Sequence, residues 1–414
     1  MDTLLITINT ERLNMPVLPF GATLVTVALR RAGHRAELVN VGLGQDPAKV
    51  ISHAIRQFQP QAIGISARNI DDQNMDNPRF LLSFVRDAVT ICRSCSTAPV
   101  ILGGAGFSIF PRAALDWTGA DYGVQGEGEA VFPLLLARLA HGADPASLPG
   151  VVCAGGTTSQ PPCWTEDLDT LPLPEDDMWA AADPNDPELL LPVQSRRGCP
   201  LDCSYCATPH IEGRAIRSRS PTAVARWIGQ MAAAGFHRFY FTDSTFNIPA
   251  DYALELCHSI KALNQPLVWR CIVYPWDVSP QLAQAMAAAG CDEVSIGFES
   301  GCDRILRAMN KRFSTADVRA AAAALAVNGI RLHGFLLVGG PGETADSVNE
   351  SLAFAQSLPL TSLRITVGIR IYPGTALAAQ AVAEGIIAPD DNLLLPRFYL
   401  APDVRLQLPE LLGT

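Results

Sequence analysis

The chain has 414 residues, a net charge of −10, 48% hydrophobic residues and 17% charged residues. This length and composition are typical of a globular protein of two or three domains and exclude a chain that is disordered throughout. The acidic charge disfavours nucleic acid as a partner, because phosphate binding needs clustered lysine and arginine. No apolar run approaches the roughly 20 residues that span a bilayer, and the first residues lack the basic segment of a signal peptide. We therefore expect a cytoplasmic protein that binds neither nucleic acid nor membrane.

Short apolar strands alternate with amphipathic helices from residue 1 to about residue 145. This alternation predicts an α/β domain with a doubly wound, Rossmann-like parallel sheet. In such sheets ligands lie beyond the carboxyl ends of the strands. The predicted strands are 3–9, 35–41, 62–67, 99–104 and 122–126, and the predicted helices include 22–31 and 78–92.

A segment rich in proline, glycine and acidic residues, 146–190, follows and is interpreted as a linker with a small hairpin within 153–164. Strand and helix patterns then resume over 191–386. Six strands are too few for a standard eight-stranded barrel, so we expect a partial (β/α)6 TIM-type barrel. The remaining residues, 387–414, are expected to form a short C-terminal extension that covers the barrel or the domain interface. The six predicted strands are 191–197, 238–243, 267–274, 293–299, 331–339 and 363–372, and the helices between them include 222–234, 279–289, 315–328 and 344–357.

Three of the 11 cysteines, Cys199, Cys203 and Cys206, lie within eight residues directly after the first barrel strand. A loop in that position lies at the face of a barrel where chemistry collects. Buried structural cysteines and a zinc site are the alternatives, although a structural zinc ion needs four ligands and no second pair follows at matching spacing. A [4Fe–4S] cluster held by three thiolates would leave one iron open to a ligand from outside the protein, and the spacing favours this reading.

The segment RGCPLDCSYC, with the aromatic residue Tyr205 before its third cysteine, resembles the cluster loop of the radical S-adenosylmethionine (SAM) enzymes. The resemblance extends from residue 191 to about residue 387. It implies that the three cysteines bind a [4Fe–4S] cluster whose fourth iron is chelated by the amino and carboxylate groups of SAM. It also implies reductive cleavage of SAM to a 5′-deoxyadenosyl radical, and an electron donor such as flavodoxin or ferredoxin.

The same resemblance assigns SAM contacts at the ends of later barrel strands. Thr242, Asp243 and Ser244 follow the second strand and are assigned to the methionyl amino group, since an ammonium ion needs oxygen acceptors. Glu299 and Ser300 end the fourth strand and are assigned to the ribose hydroxyls; a salt-bridged strand end is the alternative for Glu299. The VGGPGET turn after the fifth strand, with Gly340, and the IYPGT segment after the sixth are assigned to the adenosine.

The loops after the fourth and fifth strands of the first domain, ILGGAGFSIFP and VQGEGE, resemble those of a cobalamin-binding domain, and the SARNIDDQ loop after the third strand is expected to point into the same crevice. That domain precedes the barrel in the cobalamin-dependent subgroup of radical SAM enzymes. The D-x-H-x-x-G motif that supplies a histidine to cobalt in other cobalamin proteins is missing, so Arg68 and Asn69 are placed near the lower face of the corrin. Pairing with Asp71 or Asp72 is the alternative for Arg68. The residues assigned to cobalamin are Arg68, Asn69, Gly103, Gly104, Gly106, Phe107, Ser108, Gln125, Gly126, Glu127 and Glu129.

The two resemblances together cover nearly the whole chain and imply a cobalamin-dependent radical SAM C-methyltransferase. A substrate radical would take a methyl group from methylcobalamin, and a second SAM would regenerate the methylcobalamin. The expected substrate is a small metabolite or a natural-product intermediate. The alternative with the same cofactors is a ring contraction, cyclisation or rearrangement without methylation. A binding or sensor protein and a zinc protein are further alternatives.

Overall fold

The computed structural model describes residues 1–8, 18–156 and 160–411. The last residue of the first predicted strand, part of the predicted hairpin and the end of the C-terminal extension lie outside these ranges. The chain divides into two compact units. Unit 1 comprises Met1–Asp72, Arg79–Asp183 and Pro209–Gly213, and unit 2 comprises Gln73–Pro78, Pro184–Thr208 and Arg214–Thr414. Within the described ranges, no helix combines the length and the apolar character needed to cross a membrane.

Unit 1 is built on a six-stranded sheet with the order β2-β1-β3-β4-β5-β6. The first five strands pair in parallel and β6 joins the edge antiparallel to β5, which confirms the predicted doubly wound sheet. The strands are β1 (Asp2–Ile8), β2 (Arg35–Val41), β3 (Ala62–Ser66), β4 (Val100–Gly103), β5 (Tyr122–Val124) and β6 (Val151–Cys153). The helices are α1 (Phe20–Arg31), α2 (Pro47–Phe58), α3 (Leu82–Cys95), α4 (Ala105–Ile109), α5 (Pro111–Thr118), α6 (Gly128–Ala140) and α7 (Thr208–Glu212).

The segment predicted as a linker with a hairpin lies largely in unit 1. Val151–Cys153 form β6 and pair with the edge strand β5, so that the backbone of β6 satisfies open backbone groups of that edge. Two 3₁₀ turns, Leu168–Thr170 and Asp176–Trp179, follow, and the unit boundary falls after Asp183.

Unit 2 contains a six-stranded sheet with the order β14-β13-β12-β11-β10-β7, in which every neighbouring pair is parallel. Each strand lies beside the previous one in the chain, as expected for the predicted partial barrel. Its strands are β7 (Leu191–Val193), β10 (Arg238–Phe241), β11 (Val268–Val273), β12 (Cys291–Glu299), β13 (Arg331–Val338) and β14 (Ser362–Val367). The connecting helices are α8 (Pro221–Ala233), α9 (Ala250–Lys261), α10 (Pro280–Ala288), α11 (Asp303–Ala308), α12 (Thr315–Val327) and α13 (Ala345–Gln356).

Two short antiparallel pairs complete unit 2. The first joins β8 (Arg196–Arg197) to β9 (Arg217–Ser218), and the second joins β15 (Ile369–Arg370) to β16 (Phe398–Tyr399). Helices α14 (Ala376–Ala383) and α15 (Pro402–Leu411) flank the second pair.

The C-terminal extension is bound to the loop after β13. The Ala401 amide donates to the Gly339 carbonyl at 2.9 Å, and α15 packs against α13. The buried Arg370 donates to the Leu393 carbonyl at 2.8 Å, which fixes the start of the extension. The extension therefore borders the carboxyl end of the barrel sheet, where the predicted SAM contacts lie.

Candidate functional site

The three clustered cysteines lie in the loop between β8 and α7. Cys199 is buried, Cys203 and Cys206 are half-buried, and all three are reduced thiols. The loop starts at Gly198, whose φ is +90° and whose position for a Cβ atom lies 1.9 Å from the Ala215 carbonyl oxygen. A side chain would collide with the backbone there, so glycine is required for the chain to turn from β8 into the loop.

The donor set of this loop fits an iron–sulfur cluster better than a single metal ion. In the described ranges, no three His, Cys, Asp or Glu side chains converge as ligands for one ion. The thiolates of a [4Fe–4S] cluster each bind a different iron, so such a cluster does not require them to meet at one point. Three reduced thiols on one short loop are therefore a suitable ligand set for a cluster.

Asp243, after β10, anchors the strand that leads into the cysteine loop. Its carboxylate accepts hydrogen bonds from the amides of Ser195 and Arg196 at 2.8 and 3.0 Å and from the Ser195 hydroxyl. Burial raises the pKa of Asp243, whereas Arg196 and these donors lower it. Because both carboxylate oxygens are occupied and the residue is buried, the contacts make Asp243 a structural anchor; its assignment to the methionyl amino group stays a prediction.

Arg196 is the cation that compensates the buried Asp243. Its side chain is 3% exposed, and its Nε lies 3.9 Å from Asp243 Oδ2. The guanidinium also donates to the carbonyls of Phe246 and Ile248. These contacts tie β8, and hence the start of the cysteine loop, to the segment after β10.

A second buried charge network lies against the cysteine loop and joins Tyr205, Glu299 and Lys311. The Tyr205 hydroxyl donates to Glu299 Oε1 at 2.9 Å. Lys311 Nζ donates to the Tyr205 hydroxyl at 2.9 Å and lies 3.4 Å from Glu299 Oε1. The lysine side chain is 4% exposed. Burial would lower the pKa of Lys311, but the surrounding oxygens outweigh this and raise it well above its usual value.

Glu299 reaches this network from an irregular strand end. The pairing of β12 with β13 shifts register between Gly297 and Glu299, and Glu299 has a φ of +62°. A left-handed conformation is costly for a residue with a side chain, and such conformations are concentrated at functional sites. Lys311 is the ion-pair partner of Glu299. The salt bridge that the sequence offered as the alternative role of Glu299 is therefore part of its environment.

Ser300 and Gly340, whose assignment to SAM stays a prediction, also have contacts within the protein. Ser300 is fully buried, and its hydroxyl lies 3.0 Å from that of Ser351 on α13. The space beside Gly340 is filled by Met309, whose Cε lies 2.4 Å from the position of a Cβ atom. The Gly340 amide donates to the buried Glu343 carboxylate at 3.0 Å. Both residues therefore support packing in this structure, and Ser244 remains half-exposed beside Asp243.

The predicted cobalamin loops of unit 1 meet at one edge of its sheet, because β3, β4 and β5 are neighbours. Gly104 has a φ of +99° and ψ of 171°, a region open to glycine almost alone. Its position for a Cβ atom lies 2.8 Å from the Ala67 carbonyl oxygen. The Gly106 amide donates to the carbonyls of Ala67 and Arg68 at 3.0 and 2.9 Å. The glycines thus join the β3 and β4 loops through backbone contacts.

Several of the side chains assigned to cobalamin form hydrogen bonds or packing contacts within unit 1. Ser108 accepts a hydrogen bond from the Gly126 amide at 3.0 Å, and Glu127 accepts one from the Thr165 amide at 2.7 Å. Phe107 is fully buried and packs against Gly123. Glu129 is also buried, whereas Asn69, Gly103, Gln125 and Gly126 keep partial exposure and Arg68 is exposed. The side chains that remain accessible, together with the backbone, are the groups of these loops that could contact a ligand.

Sequence reasoning missed Lys311 and Arg196 as residues of the site. Lys311 lies 106 residues from Tyr205, so no local pattern connects them. One feature of the sequence pointed to it, since the chain has only three lysines and this one lies next to an arginine in a polar segment. Arg196 is adjacent to the cysteine loop, yet its burial could be known only from the structure.

Residues 6–136 match the B12 binding domain family, and residues 193–355 match the Radical SAM superfamily. The chain is 25% identical to the tryptophan 2-C-methyltransferase of Streptomyces laurentii, over 91% of this chain and 74% of that protein. It is 23% identical to the cytidylyl-2-hydroxyethylphosphonate methyltransferase of Streptomyces wedmorensis, over 91% of this chain and 80% of that protein.

Among solved structures, the chain is similar to the radical SAM methyltransferase TsrM from Kitasatospora setae with cobalamin and a [4Fe–4S] cluster bound. The TM-score is 0.86 at 21% identity, over 100% of this chain and 91% of that chain. For the cobalamin-dependent SAM radical enzyme OxsB with aqua-cobalamin bound, the TM-score is 0.80 at 15% identity, over 97% of this chain and 64% of that chain. These two solved structures share the fold of this chain. Because the chain carries a B12 binding domain followed by a Radical SAM domain, it belongs to the cobalamin-dependent radical SAM enzymes.

Proposed function

We propose that the protein is a C-methyltransferase that moves a methyl group from SAM, by way of cobalamin, to a carbon atom of a small molecule. The observation that carries this is the pairing of a B12 binding domain with a radical SAM domain in a chain whose relatives over about nine-tenths of its length are named methyltransferases. The same-cofactor alternative, a rearrangement without methylation, is not favoured by those relatives.

The cysteine loop supplies the ligands for the proposed cluster. Cys199, Cys203 and Cys206 would each bind one iron as thiolates. Asp243 and Arg196 hold the start of the loop, and Glu299, at the end of β12, presents a carboxylate beside it. When bound, the cluster would supply the electron that activates SAM, and cobalamin would carry the methyl group. A reduced flavodoxin or ferredoxin is the proposed electron source, which fits a cytoplasmic enzyme.

The loops after β3, β4 and β5 are proposed to bind cobalamin. They offer the exposed Arg68, the half-exposed Asn69 and backbone that glycine keeps open at Gly103. In the described part of these loops no histidine is present to bind cobalt. Arg68 is therefore proposed to face the lower side of the corrin, where a cation disfavours a strong axial donor.

The proposed substrate is a small metabolite. The relatives act, by their names, on tryptophan and on a cytidylyl-linked phosphonate, and TsrM has been solved with tryptophan bound. These compounds differ widely, so the chain's own substrate has to be found by a screen that starts with tryptophan and related heterocycles.

The test is a methyl-transfer assay with protein purified without oxygen and loaded with iron, sulfide and cobalamin. Extracts and candidate metabolites are incubated with SAM labelled on its methyl group and with a reductant, and products are followed by mass spectrometry. Label in a carbon-bound methyl group of a product supports the proposal, and the Cys203→Ser variant should give none. Consumption of SAM with a rearranged, unlabelled product would instead establish the alternative.

A further inference from the structure

The four residues after α11, Met309–Arg312, each contact the cysteine loop. The Met309 carbonyl accepts from the Ser204 amide at 3.0 Å. The Asn310 side chain donates to the Asp202 carbonyl at 2.6 Å, and the Arg312 guanidinium donates to the Pro200 carbonyl at 3.3 Å. We call this segment the clasp, because consecutive residues hold the loop from its first to its last cysteine.

Lys311 is the member of the clasp whose charge lies inside the protein. Its ammonium group contacts the oxygens of Tyr205 and Glu299, as described above, and lies 5.1 Å from the centre of the Tyr205 ring. Burial raises the pKa of the Cys203 thiol, and the positive charge of Lys311 acts against this rise. An exposed clasp residue such as Arg312 shares its charge with solvent, whereas the field of a buried cation acts at close range with little screening.

We propose that Lys311 is a positioning residue of the cluster site, which orders Cys203 and Tyr205 and raises the reduction potential of the cluster that the three cysteines bind. This inference rests on the proposed function, since it assumes that the loop holds a cluster. It assigns no chemical step to the lysine.

The physical basis is the balance of charge on reduction. A one-electron reduction makes the cluster and its thiolates more negative, and hydrogen bonds to sulfur and nearby cations stabilise that state. Lys311 provides a buried cation against Tyr205, which lies between Cys203 and Cys206. Glu299 acts in the opposite direction, because its carboxylate places negative charge in the same network. Removing either charge should therefore shift the potential, and the two shifts should have opposite signs.

The test is a redox titration of the reconstituted cluster, followed by its visible absorption and by electron paramagnetic resonance. We expect Lys311→Met to lower the midpoint potential by about 59 mV or more, which is a tenfold fall in the ratio of reduced to oxidised cluster at a fixed potential. Lys311→Arg should restore most of this difference. Glu299→Gln should raise the potential. The control is Arg307→Met on α11, an exposed residue near the clasp, which should leave the potential unchanged.

Equal potentials in the wild type and Lys311→Met, or shifts of the same sign in Lys311→Met and Glu299→Gln, would overturn the inference. If Lys311→Met takes up no cluster, Glu299→Gln decides, since a rise in potential supports the inference and no change refutes it. Failure of the wild type to take up iron and sulfide would instead refute the proposed function. The two failures are thus distinct.

Discussion

The two cofactor regions of the molecule are built in different ways. In unit 1, the loops proposed to bind cobalamin are joined by backbone hydrogen bonds and by close backbone approaches at Gly104 and Gly106, where an added side chain would force the neighbouring backbone to shift. In unit 2, the cysteine loop is held by buried charges, with Asp243 and Arg196 on one side and Glu299 and Lys311 on the other.

This difference predicts opposite sensitivities. A site shaped by backbone tolerates changes of charge and fails when bulk is added. A site shaped by buried ion pairs fails when one partner is removed, because the other charge is left without compensation. The following substitutions are chosen to break one region while leaving the other intact.

The largest effect is expected from Cys203→Ser. The loop then offers two thiolates, and we expect loss of essentially all cluster iron and sulfide, while the cobalamin absorption of the loaded protein stays at the wild-type level. The control is Cys95→Ser at the end of α3, an exposed cysteine outside both regions. Wild-type iron in Cys203→Ser, or a parallel loss of cobalamin, would contradict the assignment of separate sites.

An intermediate effect is expected from Asp243→Ala. This change leaves the buried Arg196 without its carboxylate and removes the acceptor of two amides, which should lower the free energy of unfolding of the cluster-free protein by about 3–5 kcal/mol. Denaturant unfolding measures the change. Asp251→Ala, an exposed residue in the first turn of α9, should cost less than about 1 kcal/mol. If Asp243→Ala lowered the free energy of unfolding by an equally small amount, the contacts of Asp243 would not be needed for stability.

The smallest of the three effects is expected from Gly104→Ala. An alanine in this conformation costs about 1–3 kcal/mol, and the loop should relax away from Ala67. We expect weaker cobalamin binding in a titration and unchanged iron content. Gly21→Ala in α1, where nothing lies within 4 Å of the added atom, is the matched control. Unchanged cobalamin affinity in Gly104→Ala would remove this loop from the proposed site.

The fold could be predicted to a large extent because its strands are apolar and its helices periodic. The predicted strand at 35–41 coincides with β2, and each of the six predicted barrel strands contributes to one parallel sheet. The ends of the first and last predicted strands instead form β8 and β15, which pair outside that sheet. The antiparallel β6 was not predicted, since three apolar residues in a proline-rich and glycine-rich segment carry little periodicity. The position of β6 depends on the open edge of β5, and that edge exists only once the sheet has formed.

The candidate site could be predicted only where its residues are adjacent in sequence. The cysteine spacing identified the loop, but the partners of that loop come from distant segments. Asp243 lies 48 residues from Ser195. Ser300 directly follows Glu299, which ends β12 with a φ of +62°, so no strand pattern predicts where either side chain points. The structure buries Ser300 under α13 and turns Glu299 toward Tyr205.

The position of Gly198 has a consequence for engineering this protein toward new substrates. A carbonyl oxygen lies 1.9 Å from the position of a Cβ atom at residue 198, so no other residue fits there. Variants at position 198 in a mutant library would not form the turn. Asp202 in the same loop is exposed and can be varied. A library should therefore keep the residue before the first cysteine constant and place its diversity at exposed positions of the loop such as Asp202.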